Sequence, residues 1–188
     1  MKVVIVGGGT AGWISAAILA KSTNSNFDIT VIESPNIPII GVGESTIGGI
    51  RDYTNWLGID EKDFMEYTDA SYKLSIKFTD FYEKDAGSFH YPFGRALLDG
   101  THTGIYDWFY KKHVRPETPV QDFARCYFPS AALFENNKYN NNENMAFDNF
   151  DPTRDVAYHF DATKFGAWLR DRYCIPRGVK HIQDDVVY

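Results

Sequence analysis

The chain opens on an unbroken apolar run, Val3-Val4-Ile5-Val6, followed at once by Gly7-Gly8-Gly9-Thr10-Ala11-Gly12-Trp13 and then by Ala16-Ala17-Ile18-Leu19-Ala20. β-Branched residues favour a strand, glycines end it and the alanine-rich run favours a helix, so a strand–turn–helix unit is predicted. Asp28-Ile29-Thr30-Val31-Ile32-Glu33 reads as a second strand. Residues 34–46 carry Pro35, Pro38, Gly41 and Gly43, which exclude regular helix and predict an ordered loop or extended strap. A helix is expected from Thr46 to Gly58, with Ile47, Ile50, Tyr53, Trp56 and Leu57 as its inward stripe and Gly48-Gly49 weakening its first turn. Asp60 can cap a short helix through Tyr67.

From Tyr72 to Phe81 the period is two: Tyr72, Leu74, Ile76 and Phe78 on one face, Lys73, Ser75, Lys77 and Thr79 on the other. This predicts a half-buried strand with two lysines on its polar face. Phe89 to Gly94 reads as a strand ending in a turn, and Ile105 to His113 as a helix. The asparagine-rich segment Asn136–Asn144 offers one tyrosine to bury and is expected to be a mobile surface loop. Asp161 can cap a helix over Ala162 to Tyr173, whose Phe165, Trp168, Leu169 and Tyr173 fall at core spacing. Gly178–Ile182 and Val186–Tyr188 read as strands, and ending within such a run is expected of the front part of a longer protein. Cut strand edges and exposed apolar surface are expected to leave this form self-associating, as in a homodimer, or marginally stable.

At 188 residues a single domain with a substantial core is expected over the whole chain. The formal charge of -6 disfavours a nucleic-acid surface, and the one basic cluster, Lys111-Lys112-His113, suits a solvated helix face. Cys126 and Cys174 are too far apart for a CxxC motif, so two buried thiols in a reducing cytoplasm are expected. The N-terminal apolar run is too short and glycine-broken for a signal peptide, and no run approaches membrane-spanning length. His90, His102, His113, His159 and His181 show no pair at metal-ligand spacing, so no metal is expected; His159 is read as a hydrogen-bonded core residue. Trp13, Trp56, Tyr106, Trp108 and Phe109 are read as core before pocket wall.

The chemistry concentrates in Gly7-x-Gly9-x-x-Gly12. The first glycine permits a tight turn, the second lets backbone approach a pyrophosphate, and the third lets helix pack on strand. The helix start then offers free N–H groups and a positive dipole end to phosphates. Glu33, about twenty residues beyond at the end of the second strand, can accept hydrogen bonds from a ribose. A dinucleotide site follows. Glu44, in the glycine-rich strap, is suited to ordering backbone N–H groups. An amine such as that of Lys73 or Lys77 donates protons and, once burial lowers its pKa, becomes a nucleophile.

Four segments together resemble the flavin-dependent halogenases, the tryptophan halogenase family in particular: Gly7–Trp13, Gly41-Val42-Gly43-Glu44-Ser45-Thr46-Ile47, Tyr72–Phe78, and Ala157–Ala162 with its continuation to Val186. The similarity spans essentially the whole chain, as the N-terminal portion of a longer family member. It implies an α/β fold of the FAD-binding, Rossmann-like (glutathione-reductase-like) type. It also implies FAD held by Gly7, Gly8, Gly9, Thr10, Ala11, Gly12 and Glu33, by the strap residues Val42, Gly43, Glu44 and Ser45, and by Val186. A separate flavin reductase would supply reduced FAD, and halide would be a co-substrate. Hypohalous acid would travel through a tunnel to a small, indole-like aromatic substrate beside the catalytic Lys73, with Lys77 structural. Gly48 stands where the family has proline, and the WxWxIP motif and later glutamate of the family would lie beyond Tyr188. Activity is therefore expected of the longer protein. The rival readings are another FAD-dependent monooxygenase or oxidoreductase and a noncatalytic nucleotide-binding fragment.

Overall fold

A computed structural model describes residues 1–22, 27–39, 41, 43–97, 105–139 and 149–187. Val42, His102 and the Asn140–Asn144 part of the asparagine-rich segment lie outside the described residues. Within the stretch expected as one domain, the chain groups into two compact units: Met1–Ser45, Tyr53–Ser71 and Tyr158–Tyr188 form one, Thr46–Asp52 and Tyr72–Ala157 the other.

The first unit is built on β1 (Lys2–Val6), α1 (Thr10–Ser22) and β2 (Asp28–Glu33). β1 lies parallel to β2 in register Val3↔Ile29 to Val6↔Ile32. A last strand, β8 (Lys180–Gln183), adds parallel to the far side of β2, with Val31 opposite His181 and Glu33 opposite Gln183. Residues 184–187 are in no regular element, so the strand expected from Val186 does not form among the described residues; Asp184 N–H bonds the Glu33 carbonyl at 3.0 Å, holding the start of this segment to the end of β2.

The core of this unit is aromatic. Phe64, on α3 (Glu61–Tyr67), is fully buried and meets Tyr158, Phe160, Phe165 and Trp168 edge-on at 5.2, 5.6, 5.4 and 6.2 Å. Two polar anchors close the cluster: Trp168 Nε1 donates to Asp63 at 2.7 Å and the Tyr158 hydroxyl donates to Glu61 at 2.5 Å. Both predicted helix caps form, Asp60 accepting from Asp63 N–H and Asp161 from Lys164 N–H, each at 2.9 Å. The Asp161-capped helix α7 (Ala162–Trp168) passes into a π-helical turn, Leu169–Cys174, that keeps Leu169, Tyr173 and Cys174 inside. β3 (Gly43–Ser45) pairs antiparallel with β7 (Ala157–Asp161), an element sequence periodicity did not reveal. Along β7 Tyr158 and Phe160 point inward, so His159 is exposed and not the core residue expected.

The helix expected over 46–58 begins only at Gly49, as α2 (Gly49–Leu57), because two glycines make a poor first turn. Its buried positions are Arg51, Thr54 and Leu57; Ile47 and Trp56 of the expected stripe are exposed, at 65% and 48%.

In the second unit the strand expected from Tyr72 to Phe81 divides at Leu74 into β4 (Ser71–Lys73) and β5 (Ser75–Thr79). β5 pairs antiparallel with β6 (Ser88–Pro92). α4 (Ile105–Val114) bears out the predicted helix, with Tyr106 and Phe109 exposed instead of core. Two short helices, α5 (Asp122–Tyr127) and α6 (Ala131–Glu135), follow, and Cys126 on α5 is exposed while Cys174 is buried. Leu74, Phe150 and Val156 make a small core with Tyr72, Leu133, Phe134 and Tyr139 against it. Tyr139, from the asparagine-rich segment, meets Tyr72 edge-on at 4.8 Å, so the start of that segment is packed. Among the described residues no helix is long and apolar enough to cross a membrane.

Candidate functional site

The glycine turn takes the shape its spacing demands. Gly7 sits at φ 116°, in the left-handed region closed to other residues, and its N–H bonds the Ile32 carbonyl at 2.8 Å, fastening the turn to β2. A side chain at Gly12 would run into the Gly7 carbonyl, so the helix can start this close to the turn only without one. At Gly9 a Cβ would meet nothing within 4 Å, which leaves that backbone open to a ligand. Trp13 N–H donates to the Gly9 carbonyl at 3.1 Å as the first helical bond, and the earlier N–H groups stand at the helix start.

In front of the turn lies an open cleft of about 800 Å³. Gly7, Gly8, Gly9, Thr10, Ala11, Glu33, Glu44 and Val186 line it, which brings together most of the sequence-predicted cofactor residues. Gly12 backs the turn from behind, and Gly43 and Ser45 are exposed on β3 outside the lining. The Thr10 hydroxyl donates to the Ala162 carbonyl at 3.2 Å, so its side chain serves the fold and its backbone the cleft. Asp185 closes one end: the Ser34 hydroxyl and, at 2.8 Å, Asn36 Nδ2 donate to its carboxylate and hold it below the usual carboxylate range.

Glu33 lies across Gly8, where any Cβ would collide first with its Oε2. Its other oxygen, Oε1, receives His181 Nε2 at 2.6 Å and faces Arg170 Nη1 at 3.7 Å. Arg170 is itself clamped to Asp171, Nε to Oδ1 at 2.7 Å and Nη2 to Oδ2 at 2.9 Å. The His181 ring stands edge-on to the buried Trp13 at 5.3 Å. Sequence reasoning identified Glu33 but not these two partners, since no local pattern links β2 to residues about 140 positions later; the register of β8 on β2 brings His181 there, and the Leu169–Cys174 turn brings Arg170.

In the second unit Lys73 and Lys77, expected on one polar face, differ sharply. Lys77 is exposed, whereas Lys73 is only 6% exposed. The Lys73 ammonium donates to the Thr46 carbonyl at 2.8 Å and stands 5.3 Å from the centre of the Phe93 ring. Burial lowers its pKa from the ordinary lysine value. Period two correctly separates the faces, but the break at Leu74 removes Lys73 from the solvated side. Further along, His90 accepts or donates through Nδ1 to Ser75 Oγ at 2.8 Å and stacks on Phe134 at 4.5 Å, and burial lowers its pKa.

Comparison with known proteins identifies the family. The family model described as tryptophan halogenase matches residues 2–188. The chain is 33% identical to tryptophan 6-halogenase ThaL of Streptomyces albogriseolus over 98% of its own length and 36% of that protein. It is likewise 33% identical to tryptophan 7-halogenase RebH of Lentzea aerocolonigenes, with the same coverage. Among solved structures, VirX1 in its apo form superposes with a TM-score of 0.87 at 39% identity, covering 99% of this chain and 36% of that one. The tryptophan 6-halogenase SttH of Streptomyces toxytricini superposes with a TM-score of 0.82 at 33% identity over the full chain, again 36% of its partner. The chain thus spans little more than a third of the length of the relatives it matches.

Proposed function

Because the chain belongs to the tryptophan halogenase family, we propose that it is the flavin-binding front portion of a flavin-dependent halogenase that uses reduced FAD, oxygen and halide to halogenate an indole-like aromatic substrate. The cleft fits the adenosine diphosphate half of FAD: a left-handed Gly7, an unobstructed Gly9 and the carboxylate of Glu33 offer a phosphate cradle beside a ribose acceptor. Backbone N–H groups of the turn would hold the pyrophosphate, Glu33 the ribose, and Val42, Gly43, Glu44, Ser45 and Val186 the remainder. Reduced FAD, supplied by a separate reductase, would provide the activation of oxygen.

The observation that carries the halogenase reading is the burial of Lys73. A strand lysine is ordinarily solvated; this one is enclosed, oriented by the Thr46 carbonyl of the strap, and shifted toward its neutral amine. A neutral amine can donate a hydrogen bond to hypohalous acid. It can also take the halogen, forming an N–halogen bond as water leaves, and pass it to an electron-rich ring. The test is Lys73→Met in the full protein, which keeps apolar length and removes the nitrogen. With a flavin reductase, halide and a panel of indoles, halogenated product measured by mass spectrometry should vanish while FAD affinity and flavin reoxidation stay near wild type, and Lys77→Met should change little. Near-normal product from Lys73→Met would remove Lys73 from the chemistry.

A further inference from the structure

The carboxylate at the end of β2 does not hold itself in place. We propose that His181 is a positioning residue for the cofactor: its Nε2–H fixes Glu33 Oε1, and thereby turns Glu33 Oε2 toward the cleft as the acceptor for a ribose hydroxyl. This rests on the reading of the cleft as the FAD site.

His181 pairs with Val31, two register positions back from Glu33, so alternation along the strands places it on the same face of the sheet as Glu33. Only the diagonal reach of an imidazole closes that gap, at 2.6 Å. The ring cannot swing freely, because it stands edge-on to Trp13, which is 1% exposed. The other charged groups around the pair are Arg170, 3.7 Å from the same Oε1, and Asp171, which takes both of the short Arg170 contacts. Arg170 is therefore largely committed to Asp171. Glu33 is hemmed in on its remaining side by Gly8, over which Oε2 lies. One carboxylate oxygen is thus consumed by the protein and the other is presented beside the glycine turn. The charged residues lining the cleft are Glu33, Glu44, Asp184, Asp185 and Arg170, which leaves Arg170 as the one cation among the described lining residues. The hydrogen bond from His181 gives Glu33 a fixed direction beside the glycine turn.

The experiment is FAD titration by tryptophan fluorescence on the full protein, with thermal melting in parallel. His181→Phe keeps a ring against Trp13 and removes the donor; His181→Gln keeps an amide donor. Glu33→Gln removes the charge that His181 holds, and Gly9→Val blocks the turn. Loss of one charge-assisted hydrogen bond should weaken FAD by about tenfold in His181→Phe, and His181→Gln should restore most of that loss. In the Glu33→Gln background His181→Phe should add little further weakening, which packing alone would not predict. Where the phenylalanine variant does not melt cooperatively, His181→Leu in both backgrounds is read the same way. Weakening by Glu33→Gln with no effect of His181→Phe, or an equal loss in both backgrounds, would overturn the positioning role and leave the cleft assignment standing. Unchanged affinity in both Glu33→Gln and Gly9→Val would instead overturn the assignment of the cleft itself.

Discussion

Gly8→Ala isolates the contribution of Glu33 to cofactor binding, because Gly8 is not in the left-handed region and alanine fits its backbone. What the added methyl would meet is Glu33: Oε2, Cδ and Cβ all fall inside contact distance. The Glu33 side chain must shift as a whole, because its Cβ as well as its carboxylate overlaps the added methyl, and the 2.6 Å bond to His181 Nε2 is the contact it would give up. A hydrogen bond to a charged group contributes about 1.5–3 kcal/mol, which at about 1.4 kcal/mol per decade is roughly a ten- to hundredfold loss of FAD affinity. Restricting the unfolded chain returns about 0.4–1 kcal/mol to folding, so the melting temperature should move less than the affinity suggests. The assay is fluorescence titration of FAD for wild type, Gly8→Ala, Glu33→Gly and the double variant. With the whole Glu33 side chain removed, Cβ included, the methyl has room, so Gly8→Ala should then cost almost nothing. Wild-type affinity in Gly8→Ala would refute the argument, as would an equal loss with Glu33 present or absent.

Three further outcomes are expected. Lys73 has a folded pKa below its ordinary 10.5, so the unfolded chain binds the extra proton between those values and stability should climb with pH through that window; Lys73→Met should flatten the rise in melting temperature below pH 10, and an unchanged slope would contradict it. Burial pushes the Cys174 thiol up to about 12 while Cys126 is exposed, so iodoacetamide should add one adduct at Cys126 in the native protein, with Cys174 alkylated only in denaturant, as read by peptide mass spectrometry. Phe64→Ala, at the centre of four rings, should cost about 3–5 kcal/mol in urea unfolding, and a loss under about 1 kcal/mol would mean the cluster repacks.

What the sequence made legible is what is local. The Val3–Gly12 run, the Asp60 and Asp161 caps, and the core spacing of Phe165, Trp168 and Leu169 depend on residues within a few positions of each other, and all form as expected. Periodicity fails where burial is decided elsewhere. Lys73 and Lys77 share a phase but not an environment, and Trp56 sits at core spacing on a face that is exposed. His159 shows the same limit in reverse: apolar neighbours on both sides suggested a core residue, yet alternation along β7 turns it outward. The partners of Glu33 were hidden for a different reason, since nothing near residue 33 encodes which strand will lie beside β2.

That last separation governs how the protein is made. β1, α1 and β2 leave the ribosome before β8, and His181 lies 148 residues after Glu33, beyond the whole of the second unit. Closing so long a loop is entropically slow compared with forming the β5–β6 pair, whose strands are separated by eight residues, 80–87. The cofactor cleft is therefore among the last features to mature, and free flavin can stabilise it only after the chain has returned to the sheet it left. A nascent chain released as far as Phe150 carries every glycine of the turn and neither of the side chains that hold Glu33.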